Sequence, residues 1–125
     1  MIDHLSVGVR DLAVAGRFYD AVLATLGYRC RHAGDETRGY GADDAGFWVV
    51  RAERPVAPDA RSGLHICFTA PDRDAVRAFH ATAVAAGGTD NGPPGLRPEY
   101  GPDYFAAFVI DPDGYRIEAY AGPRG

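Results

Sequence analysis

Residues 4–27 can be laid over residues 65–88 without a gap, and the superposition puts His4 on His65, Asp11 on Asp72, Phe18 on Phe79, Ala24 on Ala85 and Gly27 on Gly88. Such a match is the mark of one supersecondary unit used twice, and it constrains the fold more than any local propensity. Each half reads as a strand, a helix and then a series of strands. Ile2–Val9 and Leu64–Thr69 are rich in β-branched residues and open the two halves. Asp11 and Asp72 are good helix N-caps. The apolar residues that follow, Ala15, Phe18, Tyr19, Val22, Leu23 and Leu26 in the first half and Val76, Phe79, His80, Ala83 and Val84 in the second, fall on one helical stripe that stops at Gly27 and at Gly88.

Strands are expected at Tyr28–His32 and Phe47–Ala52, with a turn-rich stretch at Ala33–Asp44 between them, and again at Tyr104–Ile110 and Tyr115–Tyr120 around the turn Asp111-Pro112-Asp113-Gly114. A βαβββ unit of this kind has a half-open sheet and does not stand alone. Pairing two such units covers their concave faces and makes a shared cavity. The expected class is therefore α+β: two βαβββ modules pairing into one cupped, barrel-like mixed sheet around a cavity, with the helices outside. The 125 residues make one domain, with module one at about 1–53, a linker at about 54–62 that holds Pro55 and Pro58, and module two at about 63–121.

The net charge of −4 and the lack of any basic stripe argue against nucleic acid and anionic membrane as partners. No apolar run approaches a membrane span of about 20 residues, and a soluble, cytoplasmic protein is expected. The two cysteines, Cys30 and Cys67, are expected to be reduced. All 13 basic residues other than histidine are arginine, which removes lysine chemistry of any kind.

Side chains at i and i+2 of a strand share a face, so His4 brings Ser6, His65 brings Cys67 and Thr69, and Glu118 brings Arg116 and Tyr120. Two imidazoles and a carboxylate on one inner surface form a facial triad suited to Fe, Mn, Zn or Ni, with positions left open for water and substrate oxygens. A carboxylate in an otherwise apolar strand needs a partner, and a divalent ion supplies one. Taken singly, His4 reads as a surface residue and His65 as a hydrogen-bonded core residue. As a repeat-related pair with Glu118 they read as ligands. His80 reads as a helix-stripe residue, His32 as solvent-facing and Cys67 as a small buried hydrophobe. Trp48 is expected to face the cavity. Thr89–Asp103, crowded with prolines and glycines, reads as a loop closing over the site as a lid that carries Arg97, Glu99, Tyr100 and Tyr104, or else as a proline-stiffened crossing segment.

Asp3-His4-Leu5-Ser6-Val7, Arg17-Phe18-Tyr19, Leu26-Gly27-Tyr28, Leu64-His65-Ile66 and Asp111-Pro112-Asp113-Gly114-Tyr115-Arg116-Ile117-Glu118-Ala119 together resemble the vicinal oxygen chelate superfamily of glyoxalase I, extradiol dioxygenases, fosfomycin-resistance transferases and bleomycin-binding proteins. The resemblance covers essentially the whole chain. It implies that His4, His65 and Glu118 occupy the family's metal-ligand positions, and that the substrate is a small molecule with vicinal oxygens. It is also compatible with a homodimer. Aligning Gly46 with Gly114 puts Val50 where glyoxalase I carries a second glutamate, so the chain does not resemble a true glyoxalase I. The fosfomycin enzymes' phosphonate-binding tyrosine matches Phe108, and their lysine has no counterpart.

The reading is a divalent-metal-dependent enzyme, of lyase or isomerase, dioxygenase or transferase type, with Tyr104, Tyr120 and Glu99 as candidates for proton transfer. Ser6, Trp48, Val50, Cys67, Arg97, Tyr100, Phe108 and Arg116 would line the pocket. The alternative is a non-catalytic drug- or metabolite-binding resistance protein of the bleomycin-binding type.

Overall fold

The Asp11 carboxylate accepts the Val14 N–H at 3.1 Å and the Asp72 carboxylate accepts the Ala75 N–H at 2.7 Å, so each half starts its helix with the same side-chain cap. These helices are α1 (Leu12–Ala24) and α2 (Arg73–Ala85) in the computed structural model, which describes residues 1–123. Both end in a left-handed glycine that lets the next N–H reach back to an unsatisfied carbonyl. In α1 this is Gly27 at φ 87, with Tyr28 N donating to Leu23 O. In α2 it is Gly87 at φ 106, with Gly88 N donating to Ala83 O, so the stop falls one residue before the expected Gly88.

Around the helices run β1 (Leu5–Val9), β2 (Arg29–Ala33), β3 (Thr37–Gly41) and β4 (Phe47–Arg51), then β5 (His65–Thr69), β6 (Thr89–Leu96), β7 (Phe105–Ile110) and β8 (Arg116–Ala121). The α+β class and the doubled βαβββ pattern hold. The strands form two open four-stranded sheets, ordered β1-β4-β3-β2 and β5-β8-β7-β6, in which the first strand of each module lies parallel to its last. Two expectations are corrected. The turn-rich stretch at Ala33–Asp44 contains strand β3, and most of the supposed lid, Thr89–Leu96, is strand β6, hydrogen-bonded to β7 through two register shifts. Prolines are tolerated there because β6 is an edge strand, whose outward N–H groups have no neighbour to serve.

One face of each sheet is apolar and covered. Val7, Val9, Phe47 and Val49 on the first sheet and Ile66, Val109, Ile117 and Ala119 on the second are buried with Phe18, Tyr19, Val22, Val76 and Phe79 from the helices. Each fully buried side chain of this size stabilises the fold by about 1.5–3 kcal/mol.

The modules are joined by polar contacts between distant segments. The buried Tyr19 hydroxyl donates to Asp111 Oδ2 at 2.5 Å, and Asp111 Oδ1 accepts from the N–H groups of Asp113 and Tyr115. Tyr115 Oη donates in turn to Gly8 O on β1. Burial pushes the Asp111 carboxyl above its ordinary range against the pull of these donors, and burial beside Asp111 raises the Tyr19 phenol well above its own. Edge-on packing of Phe47 and Phe68, with ring centroids 5.1 Å apart, closes the seam between β4 and β5. No helix among the described residues is long and apolar enough to cross a membrane.

Candidate functional site

The uncovered face of the second sheet carries the polar chemistry. On β5 it presents His65, Cys67 and Thr69; on β8, Arg116, Glu118 and Tyr120; on β7, Phe108. The register sets Cys67 across from Glu118 on one side and Phe108 across from Glu118 on the other. Glu118 is only 3% exposed, and both carboxylate oxygens are engaged. His65 Nε2 lies 2.7 Å from Oε1, and Tyr104, just ahead of β7, donates its hydroxyl to Oε2 at 2.5 Å. Desolvation and the Glu118 carboxylate raise the Tyr104 phenol above its ordinary value, in keeping with its donating to Glu118.

Cys67 is an exposed free thiol, not the small buried hydrophobe expected, because β5 turns Ile66 to the core and Cys67 to the open face. The register sets it opposite Glu118. Desolvation and the Glu118 charge push the thiol up to about 12, which makes it a poor nucleophile at neutral pH.

Aromatic rings flank this centre. Tyr104 stacks on Tyr120 with centroids 4.1 Å apart and meets Tyr100 at 5.2 Å. Phe108 lies 5.9 Å from the His65 ring and carries the Arg97 guanidinium at 5.2 Å from its centroid. Arg116 donates to Pro58 O and Gly114 O and so ties the 54–62 segment to the second module. Glu99 is exposed in the turn in which Tyr100 N and Gly101 N donate to Arg97 O and Pro98 O.

His4 belongs to the other module. It lies just ahead of β1, half exposed, with Nδ1 2.7 Å from Asp3 Oδ1, in a hollow of about 420 Å³ shared with Ser6, Thr37, Trp48 and Val50. Among the described residues no three His, Cys, Asp or Glu side chains come together closely enough to hold a metal ion. One chain therefore brings His65 and Glu118 together and keeps His4 apart from them. His65 and Glu118 suit a divalent ion in kind: an imidazole nitrogen and a carboxylate on one sheet face, with no Arg paired to the carboxylate among the described residues.

The register also refines the comparison of the modules. Ser6 pairs with Trp48 on β4, as Cys67 pairs with Glu118 on β8, so Trp48 is the repeat counterpart of Glu118 and Val50 lies two residues beyond on the same face. In either frame an apolar side chain stands where a second carboxylate would be. The Tyr104–Glu118 contact was not readable from the sequence, because it depends on how β7 registers against β8.

Two four-stranded mixed sheets built from repeated βαβββ units, each with one face open, define the class of small α+β proteins with paired modules. Residues 1–119 match the family model described as the glyoxalase/bleomycin resistance protein/dioxygenase superfamily, and the chain belongs to that family. A solved glyoxalase/bleomycin resistance protein from Albidiferax ferrireducens T118 is 34% identical, with a TM-score of 0.84 over 95% of this chain and 97% of that one. The fosfomycin resistance protein FosX from Mesorhizobium loti shares the fold at 21% identity, with a TM-score of 0.70 over 98% of this chain and 92% of its own. A glyoxalase/bleomycin resistance protein/dioxygenase family enzyme from Burkholderia phytofirmans PsJN shares it at 17% identity, with a TM-score of 0.72 over 97% and 98%. No curated protein gives a significant match.

Proposed function

We propose that this protein is a divalent-metal-dependent enzyme acting on a small molecule through two adjacent oxygens, with the ion (Fe, Mn, Zn or Ni) held by His65 and Glu118 of one chain and His4 of a second copy. The observation that carries this reading is Glu118, a carboxylate 3% exposed on an open sheet face, with an imidazole 2.7 Å from one oxygen. A buried charge of this kind is costly without a strong partner. His4 and His65 are repeat counterparts on the two modules, and one chain does not bring them together. A twofold contact that lays the first-module face of one copy over the second-module face of another assembles two identical sites.

When bound, the ion supplies Lewis acidity to the substrate oxygens. Tyr104 Oη keeps its proton on Glu118 Oε2 and is placed to offer it to a substrate oxygen on which charge develops. Phe108, Tyr104 and Tyr120 exclude water from one side, and Trp48 and Val50 form the opposite wall. Two exposed free thiols, Cys30 and Cys67, fit a reducing compartment such as the cytoplasm.

A second reading is favoured by the same carboxylate. His65 and Tyr104 already engage both of its oxygens, so the cup is also a complete metal-free binding pocket for a drug or metabolite.

Elemental analysis of protein purified without a metal-affinity tag decides between the two. The enzyme reading expects about one ion per chain, lost in His65→Ala and in Glu118→Ala. His4→Ala and Glu118→Ala chains, mixed through unfolding and refolding, should regain about a quarter of the sites, since half the random dimers are mixed and each then has one complete site. Metal retained in both single variants would remove the site assignment. Metal-free wild type that still binds small ligands would favour the binding reading.

A further inference from the structure

We infer that the pocket selects a flat ligand carrying a carboxylate beside its adjacent oxygens, with Arg97 as the carboxylate's partner and the Tyr100–Tyr104–Tyr120 stack as the platform for its ring. This rests on the reading above for the place of the site and deepens it to a substrate class.

Arg97 is set by a purpose-shaped stretch of backbone. Its side chain folds back along β6, and its Nη2 and Nη1 donate to Pro93 O at 2.6 Å and Leu96 O at 3.5 Å. The space it occupies exists because residues 92 and 95 are glycines. A Cβ at Gly92 would stand 3.0 Å from Phe108 Cδ2 and 3.3 Å from Arg97 Nη2, and one at Gly95 would stand 3.2 Å from Arg97 Nη1. Gly92 also adopts φ 150, a conformation that L side chains rarely take. The guanidinium is thereby pressed onto Phe108, whose ring lies against His65. The positive charge stands one ring away from the His65–Glu118 centre.

That charge is not neutralised. Among the described residues Arg97 forms no ion pair, and Asp103, six positions along the chain, lies 4.0 Å from Arg73. Backbone carbonyls use one N–H of each terminal nitrogen and leave the second, and a fork of two N–H groups is the geometry that a carboxylate accepts in bidentate fashion. Arg116, the other cation on this face, is committed to Pro58 O and Gly114 O at the linker. Beside Glu118 the three tyrosines offer ring faces, with Tyr104 paired through its carbonyl to Arg97 N, and Tyr100 is 64% exposed with its ring 5.2 Å from Tyr104. A chelating centre with a cation one ring away and a ring platform next to both matches a planar anion whose ring joins its vicinal oxygens to its carboxylate.

The test is calorimetric titration of the full chain, metal-loaded and chelator-treated, with 3,4-dihydroxybenzoate and with catechol, which lacks the carboxylate. The expected result is about tenfold or tighter binding of the acid, reduced to within about twofold of catechol in Arg97→Gln and restored in part by Arg97→Lys. Tyr100→Ala, a change at an exposed residue, should weaken both probes alike and leave their ratio unchanged. An acid preference that depends on Arg97 in protein that holds no metal supports this inference while the metal reading fails. Equal affinities for the two probes in wild type, no binding of the acid, or a preference that survives Arg97→Gln would overturn it, whatever the metal content.

Discussion

Tyr104 donates its hydroxyl to Glu118 Oε2 at 2.5 Å, although the two residues sit on neighbouring antiparallel segments and only the strand register brings them together. In the absence of metal this bond satisfies half of a buried carboxylate. Tyr104→Phe should therefore cost about 1 kcal/mol of stability in metal-free protein. In metal-loaded protein the cost should shrink, because an ion on Glu118 takes over its compensation and stabilises the folded state by mass action. Urea denaturation of both forms measures the difference. An equal penalty with and without metal would mean that the ion does not engage Glu118.

The hemithioacetal of methylglyoxal and glutathione should be a poor substrate or none. Trp48 and Val50 are apolar, so neither first-module position that could correspond to Glu118 carries a second carboxylate. Rapid isomerisation by the unaltered protein, followed spectrophotometrically, is the contrary outcome. It would show that the fourth ligand of glyoxalase I is dispensable on this scaffold.

Tyr19→Phe tests the contact between the modules. Removing the hydroxyl leaves buried Asp111 with one donor fewer and should cost about 1–3 kcal/mol near neutral pH. The pH dependence has a definite sign. The folded Asp111 carboxyl is raised above its unfolded value, so its favourable contribution is fully present below about 3.9 and is lost as pH rises through the folded value. The Tyr19 donor offsets part of that loss by favouring the ionised form. The penalty of Tyr19→Phe should thus be larger at pH 7 than at pH 4 in urea denaturation. A penalty independent of pH would mean that the hydroxyl matters only through packing.

Elements set by local chemistry were legible in the sequence. Asp11 and Asp72 cap the helices, apolar stripes face them inward, and Asp111–Gly114 turns the chain between β7 and β8, with Gly114 at φ 100 and its N–H on Asp111 O. Strands β3 and β6 were not. Thr37-Arg38-Gly39-Tyr40-Gly41 and the proline-containing Thr89–Leu96 have poor strand propensity, and each is held in place by antiparallel hydrogen bonds to the strand that follows it. Cys67 was misassigned for a related reason. A two-residue period gives alternation, but packing against α2 decides which set of side chains is covered.

By itself the sequence determined the repeat, the two module types and the residues with ligand chemistry, because caps, stripes and alternation act over a few residues. Tertiary structure decided how those residues are grouped. His65, Glu118 and Tyr104 meet because β5, β8 and β7 are neighbours in one register, while His4 lies on the other sheet with Trp48 and Val50. No local interaction specifies that separation. It follows from the long-range packing of the two modules through Tyr19, Asp111 and Tyr115, whose contacts join residues about a hundred positions apart and exist only once the whole core has formed.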